Sequence, residues 1–227
     1  MWIIPTYNRP DQCRAAVERL KEMGCSTPGI VIVNGRDFQA YEAWKEHLPE
    51  HWSMVFMQEN IGVCGALRWA FNEWPRLTFY GLICDDEFVE TPGWDVRLIE
   101  AAGQWNLAHG NNGDSSSKWP HAFMTWGGDL VRAVGNIAPE GLWHLYFDMY
   151  WAFIAGESKR LKFCPDVRIT ELHHLRGTAP HDETNRAALL HQKEDGQWYT
   201  NWRRSEALAT VARVKSALAS STSRGHG

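Results

Sequence analysis

The chain has 227 residues, of which 44% are hydrophobic and 22% are charged. This composition is sufficient for a buried core of domain size and excludes a wholly disordered or fibrous protein. The net charge of −4 hides an asymmetry, because residues 159–227 carry 12 basic and 7 acidic side chains while the rest is acidic. The five cysteines include no C-x-x-C pair, so neither a disulfide framework nor a cysteine-rich zinc site is expected.

Short apolar runs alternate with helix-like spacing through the first hundred residues. Strands are predicted at 2–4, 30–33, 54–57 and 79–84, and helices at 10–24, 37–48, 63–74 and 94–103. This alternation predicts an α/β fold with a doubly wound, mostly parallel, Rossmann-like sheet. In such sheets the ligand site lies at the carboxyl ends of the strands.

The second half of the chain gives a less regular pattern. Residues 106–118 are polar and rich in Gly, Asn and Ser, which predicts a long loop that is either disordered or a lid. Strands are predicted at 122–126 and 163–170, a helix from Asp182 towards Asp195, a last helix at 198–218 and a disordered tail at 219–227. We therefore expect one domain over 1–218. Without an apolar run of 18 residues or a signal-peptide pattern, we expect no membrane contact and a cytoplasmic location.

Three adjacent acidic residues, Asp85, Asp86 and Glu87, directly follow the fourth predicted strand. Neighbouring carboxylates repel one another unless a cation lies among them. Oxygen ligands of this kind suit Mg²⁺ or Mn²⁺, which keep open positions for substrate phosphates. The alternative is a solvated acidic turn without a ligand.

A polar loop bounded by proline follows the first strand. It consists of Pro5, Thr6, Tyr7, Asn8 and Arg9. The loop offers hydrogen-bonding groups, a ring for stacking and an arginine that can meet a phosphate.

These segments together resemble the nucleotide-sugar half of a GT-A fold glycosyltransferase, in particular the inverting family-two group. The resemblance rests on IIPTYNRP at 3–10, Asn60-Ile61-Gly62 before the third helix, and the acidic triplet followed by Pro92-Gly93-Trp94. It covers about residues 2–175. It implies a nucleotide-sugar-binding half at 1–105 and an acceptor half at 119–218. It also implies a nucleoside-diphosphate sugar as donor, with a UDP-sugar favoured, and Mn²⁺ or Mg²⁺ as cofactor.

The resemblance also implies roles for individual residues. The donor-binding residues would be the five of the polar loop together with Asp37, Asn60, Gly62, Asp85 and Asp86. The family's second strand usually ends in two acidic residues, whereas here only Asp37 is available. The family's Asp-x-Asp motif maps onto Asp85-x-Glu87, or alternatively uses Asp86. The metal ligands would be Asp85, Glu87 and a histidine of the pair His173-His174, with His174 preferred.

Asp148 is the candidate general base. It lies in the strongly apolar segment 145–154, and a desolvated carboxylate has a raised pKa and accepts a proton from an attacking hydroxyl. It matches the position of the family's catalytic Asp, although Phe147 replaces the Glu that normally precedes it. The alternative role is a helix N-cap, and both roles could hold together.

The acceptor is predicted from the second half of the chain. Trp126 and Trp151 are candidate acceptor-binding rings, and a place in the core is the alternative for each. The basic final third suits a polyanion. Together with the N-terminal motif, HHLRGTAPHDET at 173–184 resembles small phage-encoded enzymes that glycosylate hydroxymethylated pyrimidines, such as hydroxymethylcytosine, in DNA, which would place the protein in the host cytoplasm.

Other functions fit parts of the sequence. A transferase could instead act on a small-molecule, protein or glycan acceptor. A non-catalytic nucleic-acid-binding module would explain the basic end but leaves the acidic triplet unexplained. A nucleotidyltransferase normally has a Gly-rich N-terminal loop, and residues 5–10 contain no glycine.

Overall fold

The structure is a computed structural model that describes residues 1–35, 38–113, 119–120, 123–172 and 182–224. Its centre is an eight-stranded sheet with the order β3-β2-β1-β4-β7-β6-β8-β5. In chain order, the strands are β1 (Trp2–Tyr7), β2 (Gly29–Asn34), β3 (Trp52–Met57), β4 (Phe79–Leu82), β5 (Glu87–Val89), β6 (Leu107–Asn111), β7 (Thr125–Gly127) and β8 (Leu161–Glu171).

Helices cover both faces of this sheet. They are α1 (Pro10–Glu22), α2 (Phe38–Glu42), α3 (Gly62–Glu73), α4 (Trp94–Ala102), α5 (Gly128–Val134), α6 (Phe147–Glu157), α7 (Glu183–Leu190), α8 (Gln192–Ser205) and α9 (Ala207–Arg224). A 3₁₀ turn, Lys45–His47, follows α2. No helix in the described ranges combines the length and the apolar composition needed to cross a bilayer.

The first four strands are parallel, and the second half of the chain makes the sheet mixed. β2 lies between β3 and β1, and β1 pairs with β4. β7 then runs antiparallel to both β4 and β6, and β5 runs antiparallel to β8. The carboxyl ends of β1, β2 and β4 therefore meet at one edge, which is where parallel sheets bind ligands.

Alternating side chains of the parallel strands supply two separate cores. Ile3, Ile30 and Ile32 point to the face covered by α3, α5, α6 and α9. Trp2 and Ile4 point to the opposite face, which α1 and α4 cover. The period of two in side-chain direction explains why the buried strands are apolar on both faces.

The predicted fold class is confirmed, and several predicted elements need correction. The segment predicted as a loop at 106–118 begins with β6, whose polar His-Gly-Asn residues hid the strand, while 114–118 lie outside the described residues. The predicted last helix is two helices, α8 and α9, with a break at Glu206. α9 continues to Arg224, so the prediction of a disordered tail from residue 219 is wrong for that part.

Candidate functional site

A cavity of about 200 Å³ opens at the carboxyl ends of β1, β2 and β4. Residues of β1 and its following loop, the residues after β4, the start of α3, the loop before α6 and helix α7 line it. Its walls include Pro5, Thr6, Tyr7, Arg9, Asn34, Asn60, Gly62, Asp85, Asp86, Trp143, His144, Glu171, Thr184 and Asn185. The parallel strands thus bring two predicted segments, separated by about eighty residues, into one site.

Thr6 connects the first segment to the acidic residues. Its hydroxyl donates a hydrogen bond to the Asp85 carboxylate at 2.7 Å and lies 2.9 Å from the Tyr41 hydroxyl. Thr6 and Asp85 are 2% and 5% exposed, so these bonds are shielded from water. The Tyr41 oxygen also accepts the backbone N–H of Arg9 at 3.0 Å. This chain of bonds fixes the end of β1 against the end of β4.

The Arg9 guanidinium lies across the carboxylates. Its Nη1 is 3.0 Å from Asp85 Oδ1 and 3.2 Å from Asp86 Oδ2. Its Nε and Nη2 donate to the two carboxylate oxygens of Asp182, at 2.6 and 3.0 Å. Asp182 in turn caps α7, because its side chain accepts the Asn185 N–H at 3.0 Å. Arg9 therefore connects α7 to Asp85 and Asp86, which form the acidic floor of the cavity.

The acidic residues are held in a setting that opposes their ionisation. Burial, and then the charge of Asp85, raise the pKa of Asp86 to about 7, against the opposing effect of Arg9. Burial likewise raises the pKa of Asp85, and that of Glu87 well above its usual range. The site thus holds carboxyl groups whose burial favours the protonated form, and of these Asp86 has a pKa of about 7.

Asn60, Gly62 and Trp143 form another wall. Asn60 Oδ1 accepts the Gly62 N–H at 3.0 Å. Gly62 has φ of +67°, and a Cβ there would lie 2.5 Å from the Trp143 carbonyl oxygen. The Trp143 ring also stacks on His191, with 4.1 Å between ring centroids. Glycine at 62 is therefore required both by its backbone conformation and by the closeness of Trp143.

Eight of the ten predicted donor-binding residues line this cavity. They are Pro5, Thr6, Tyr7, Arg9, Asn60, Gly62, Asp85 and Asp86. Asn8 is not among the lining residues, and its amide donates to Glu183 at 3.2 Å on the surface. Asp37 lies outside the described residues.

Sequence reasoning missed several residues of the site. Asn34 ends β2 beside Thr6, is 3% exposed and has no hydrogen-bond partner for its buried Oδ1. A polar residue at the end of a buried apolar strand was a usable signal for it. His144 lines the cavity too, and burial lowers the pKa of its imidazole to about 4, so it is neutral at physiological pH.

The predicted metal set is not assembled by the described residues. Glu87 is 3% exposed and does not line the cavity, and its carboxylate accepts the Cys84 N–H at 2.8 Å. The cavity geometry therefore gives no support to Glu87 as a direct metal ligand, and that role stays a prediction. Asp85 and Asp86 are both paired with Arg9, and no cluster of three potential ligands occurs in the described ranges. His173 and His174 lie outside them. The residues described do not fit a metal centre.

Asp148 lies in the first turn of α6 and is not among the lining residues. The helix N-cap is Tyr146, so the predicted capping role of Asp148 is wrong. Burial and, to a smaller extent, the charge of Asp148 raise the pKa of Tyr199. Asp148 therefore lies next to α8, and its role as a base stays a prediction.

Trp126 and Trp151 are core residues. Both are 0% exposed, their ring centroids are 5.6 Å apart, and Trp151 Nε1 donates to the Ile137 carbonyl at 2.8 Å. A ring without exposed surface cannot stack on an acceptor, so the prediction that these two bind it is wrong. They pack the face of the sheet under α6.

No family model and no curated protein matches this chain. Solved structures do. Staphylococcus aureus TarS superposes with a TM-score of 0.56 at 14% identity, over 84% of this chain and 39% of TarS. GalNAc-T7, solved with UDP, GalNAc and Mn²⁺, superposes with a TM-score of 0.58 at 8% identity, over 76% of this chain and 43% of GalNAc-T7. The fold is of the GT-A type.

The chain spans about two fifths of the length of each of these two proteins. HddC from Yersinia pseudotuberculosis is closer in length, with a TM-score of 0.51 at 10% identity over 82% of this chain and 96% of HddC. Residues 1–349 of TarS have also been solved in complex with UDP-GlcNAc, with a TM-score of 0.56 at 14% identity over 74% of this chain and 56% of that one.

Proposed function

We propose that this protein is a glycosyltransferase that moves a sugar from a nucleoside diphosphate sugar to an acceptor hydroxyl. A UDP-sugar is the favoured donor. The observation that carries the proposal is the cavity at the ends of β1, β2 and β4, where eight residues predicted to bind the donor converge. The fold supports it, because TarS and GalNAc-T7 share the GT-A architecture and have been solved with UDP-GlcNAc and with UDP and GalNAc.

The site residues can divide the work of binding. Asn34 has an unpaired buried amide oxygen that can accept an N–H from a nucleobase, and the Tyr7 ring offers a face for stacking. Asp85 and Asp86 lie at the other side with Arg9, whose guanidinium donates to both and to Asp182. A guanidinium suits phosphate oxygens, so a diphosphate bound here would take the place of one of these carboxylates on Arg9. Holding the donor in a fixed orientation supplies much of the rate acceleration in such transfers.

The proposed reaction inverts the anomeric centre. The acceptor hydroxyl attacks the anomeric carbon in line, the bond to the diphosphate breaks, and a base takes the hydroxyl proton. Asp148 is the candidate base from the sequence, and it follows the cavity-lining His144 by four residues.

Replacing Asp148 by Asn should lower turnover about 100-fold or more, since general-base catalysis contributes a factor of about 10²–10⁴ to the rate. UDP affinity should be unchanged; near-normal turnover would remove Asp148 from this role.

The proposal for the acceptor rests on the sequence. The final third of the chain carries 12 basic and 7 acidic residues, which suits a polyanion such as DNA. Lys193, Arg203 and Arg204 are exposed on α8, where Glu194 is exposed as well. Transfer to DNA containing hydroxymethylcytosine or hydroxymethyluracil, with unmodified DNA as control, tests this. Binding to duplex DNA that weakens steeply with salt is expected, and no binding at low salt would contradict it.

The whole proposal is tested by incubating the protein with a panel of nucleotide sugars and measuring slow release of free nucleoside diphosphate. The panel is run with Mn²⁺, with Mg²⁺ and with EDTA. These conditions test the metal dependence predicted from the sequence, since no cluster of three potential metal ligands occurs among the described residues. Release from at least one sugar nucleotide is expected. No release and no binding across the panel would contradict the proposal.

A further inference from the structure

A buried carboxylate of α8 holds the loop that precedes α6. Asp195 lies in the first turn of α8 and is 1% exposed. Its Oδ1 accepts the backbone N–H of Trp143 at 2.8 Å. Its Oδ2 accepts those of His144 and Leu145, at 2.9 and 2.8 Å. Three successive N–H groups that converge in this way form an anion-binding nest, which here is filled by a side chain of the protein itself.

The loop held by Asp195 is also a wall of the cavity. Trp143 and His144 both line it, whereas Asp195 does not. The Trp143 carbonyl accepts the N–H of Cys64 in α3 at 3.1 Å, so the loop is bonded on both sides. Since Gly62 lies against Trp143, a shift of the loop would change the shape of the cavity at the start of α3.

We propose that Asp195 is a positioning residue for the nucleotide-sugar cavity. It acts through the loop at 143–145 and positions the Trp143 ring and the His144 imidazole towards the donor. The inference rests on the proposed function, because it assigns these two side chains to that same cavity. Fifty residues separate Asp195 from the loop, so its part in the site is visible only in the fold.

The variant Asp195→Asn tests the proposal with little change in side-chain size. An amide keeps one acceptor oxygen but turns an NH₂ group towards backbone donors, so it cannot serve all three N–H groups. Asp11→Asn is the matched control, since Asp11 also lies in the first turn of a helix, α1, and its side chain is 93% exposed. Near-UV circular dichroism establishes that both variants are folded at the temperature of the assay.

Two measurements are made on wild type and both variants. The first is hydrogen exchange of the amides at 143–145, which we expect to be faster in Asp195→Asn while exchange in β1 and β2 is unchanged. The second is titration with UDP and UDP-GlcNAc, where Asp195→Asn should bind about tenfold more weakly or worse, because hydrogen bonds to charged groups are strong. Asp11→Asn should match the wild type in both.

The outcomes separate this inference from the proposed function. Unchanged exchange at 143–145, or faster exchange with UDP affinity within about twofold of the wild type, would overturn the role of Asp195. Faster exchange throughout the sheet would show a general loss of stability and would also count against it. If the wild type binds neither UDP nor UDP-GlcNAc, the proposal of a UDP-sugar donor fails, and the exchange data alone decide whether Asp195 holds the loop.

Discussion

Replacing Gly62 by alanine should destabilise the protein more than the same change at Gly93. Both glycines have φ of +67°, so alanine at either position costs about 1–2 kcal/mol of backbone strain. Around Gly93 a Cβ would meet nothing within 4 Å, whereas at Gly62 it would lie 2.5 Å from the Trp143 carbonyl oxygen and 2.7 Å from its ring. Overpacking of this kind costs about 1–3 kcal/mol more. We expect a loss of about 1–2 kcal/mol for Gly93→Ala and about 2–5 kcal/mol for Gly62→Ala.

Urea unfolding followed by circular dichroism measures both free energies, and the difference between the two variants isolates the contact with Trp143. Gly62→Ala should also weaken UDP binding, because the Trp143 ring must move, whereas Gly93→Ala should not. Equal free energies of unfolding for the two variants would refute the packing described at this wall of the cavity.

Two further predictions concern the acidic floor. The raised pKa of Asp86, about 7, means that the folded state holds a proton that the unfolded chain releases near pH 4. The free energy of unfolding should therefore fall as the pH rises from about 4 to 7, and it should fall less steeply in Asp86→Asn. Urea unfolding at a series of pH values measures this, and equal slopes of free energy against pH in wild type and variant would contradict it. Thr6→Val leaves the Tyr41 hydroxyl and Asp85 without their buried partner and should cost about 2–4 kcal/mol in thermal unfolding. Thr200→Val, at an exposed position, is the control. An equal loss of unfolding free energy in the control would refute the claim that the buried hydrogen bonds of Thr6 stabilise the protein.

The sequence was sufficient to predict where the site lies. The ends of β1 and β4 carry polar and acidic residues directly after buried apolar runs, and parallel strands bring such ends to one edge. The same rule predicts that Thr6, Asp85 and Asp86 lie together. Applied to β2, the same rule would have identified Asn34 as well.

The rest of the site depends on contacts that no local pattern encodes. Arg9 pairs with Asp182, 173 residues away, and Asp195 bonds a loop fifty residues before it. The burial of Trp126 and Trp151 was equally hidden, since a large ring suits both a core and a sugar-binding surface. Glu87 follows two cavity-lining acids, but the start of β5 places its carboxylate against the backbone of Cys84.

A crystal structure with UDP or UDP-GlcNAc bound tests the central claim most directly. We predict density for the nucleotide in the cavity between β1, β2 and β4, with the base near Asn34 and Tyr7 and the diphosphate on the side of Arg9 and Asp86. A nucleotide bound elsewhere on the protein, with this cavity unchanged, would contradict the account.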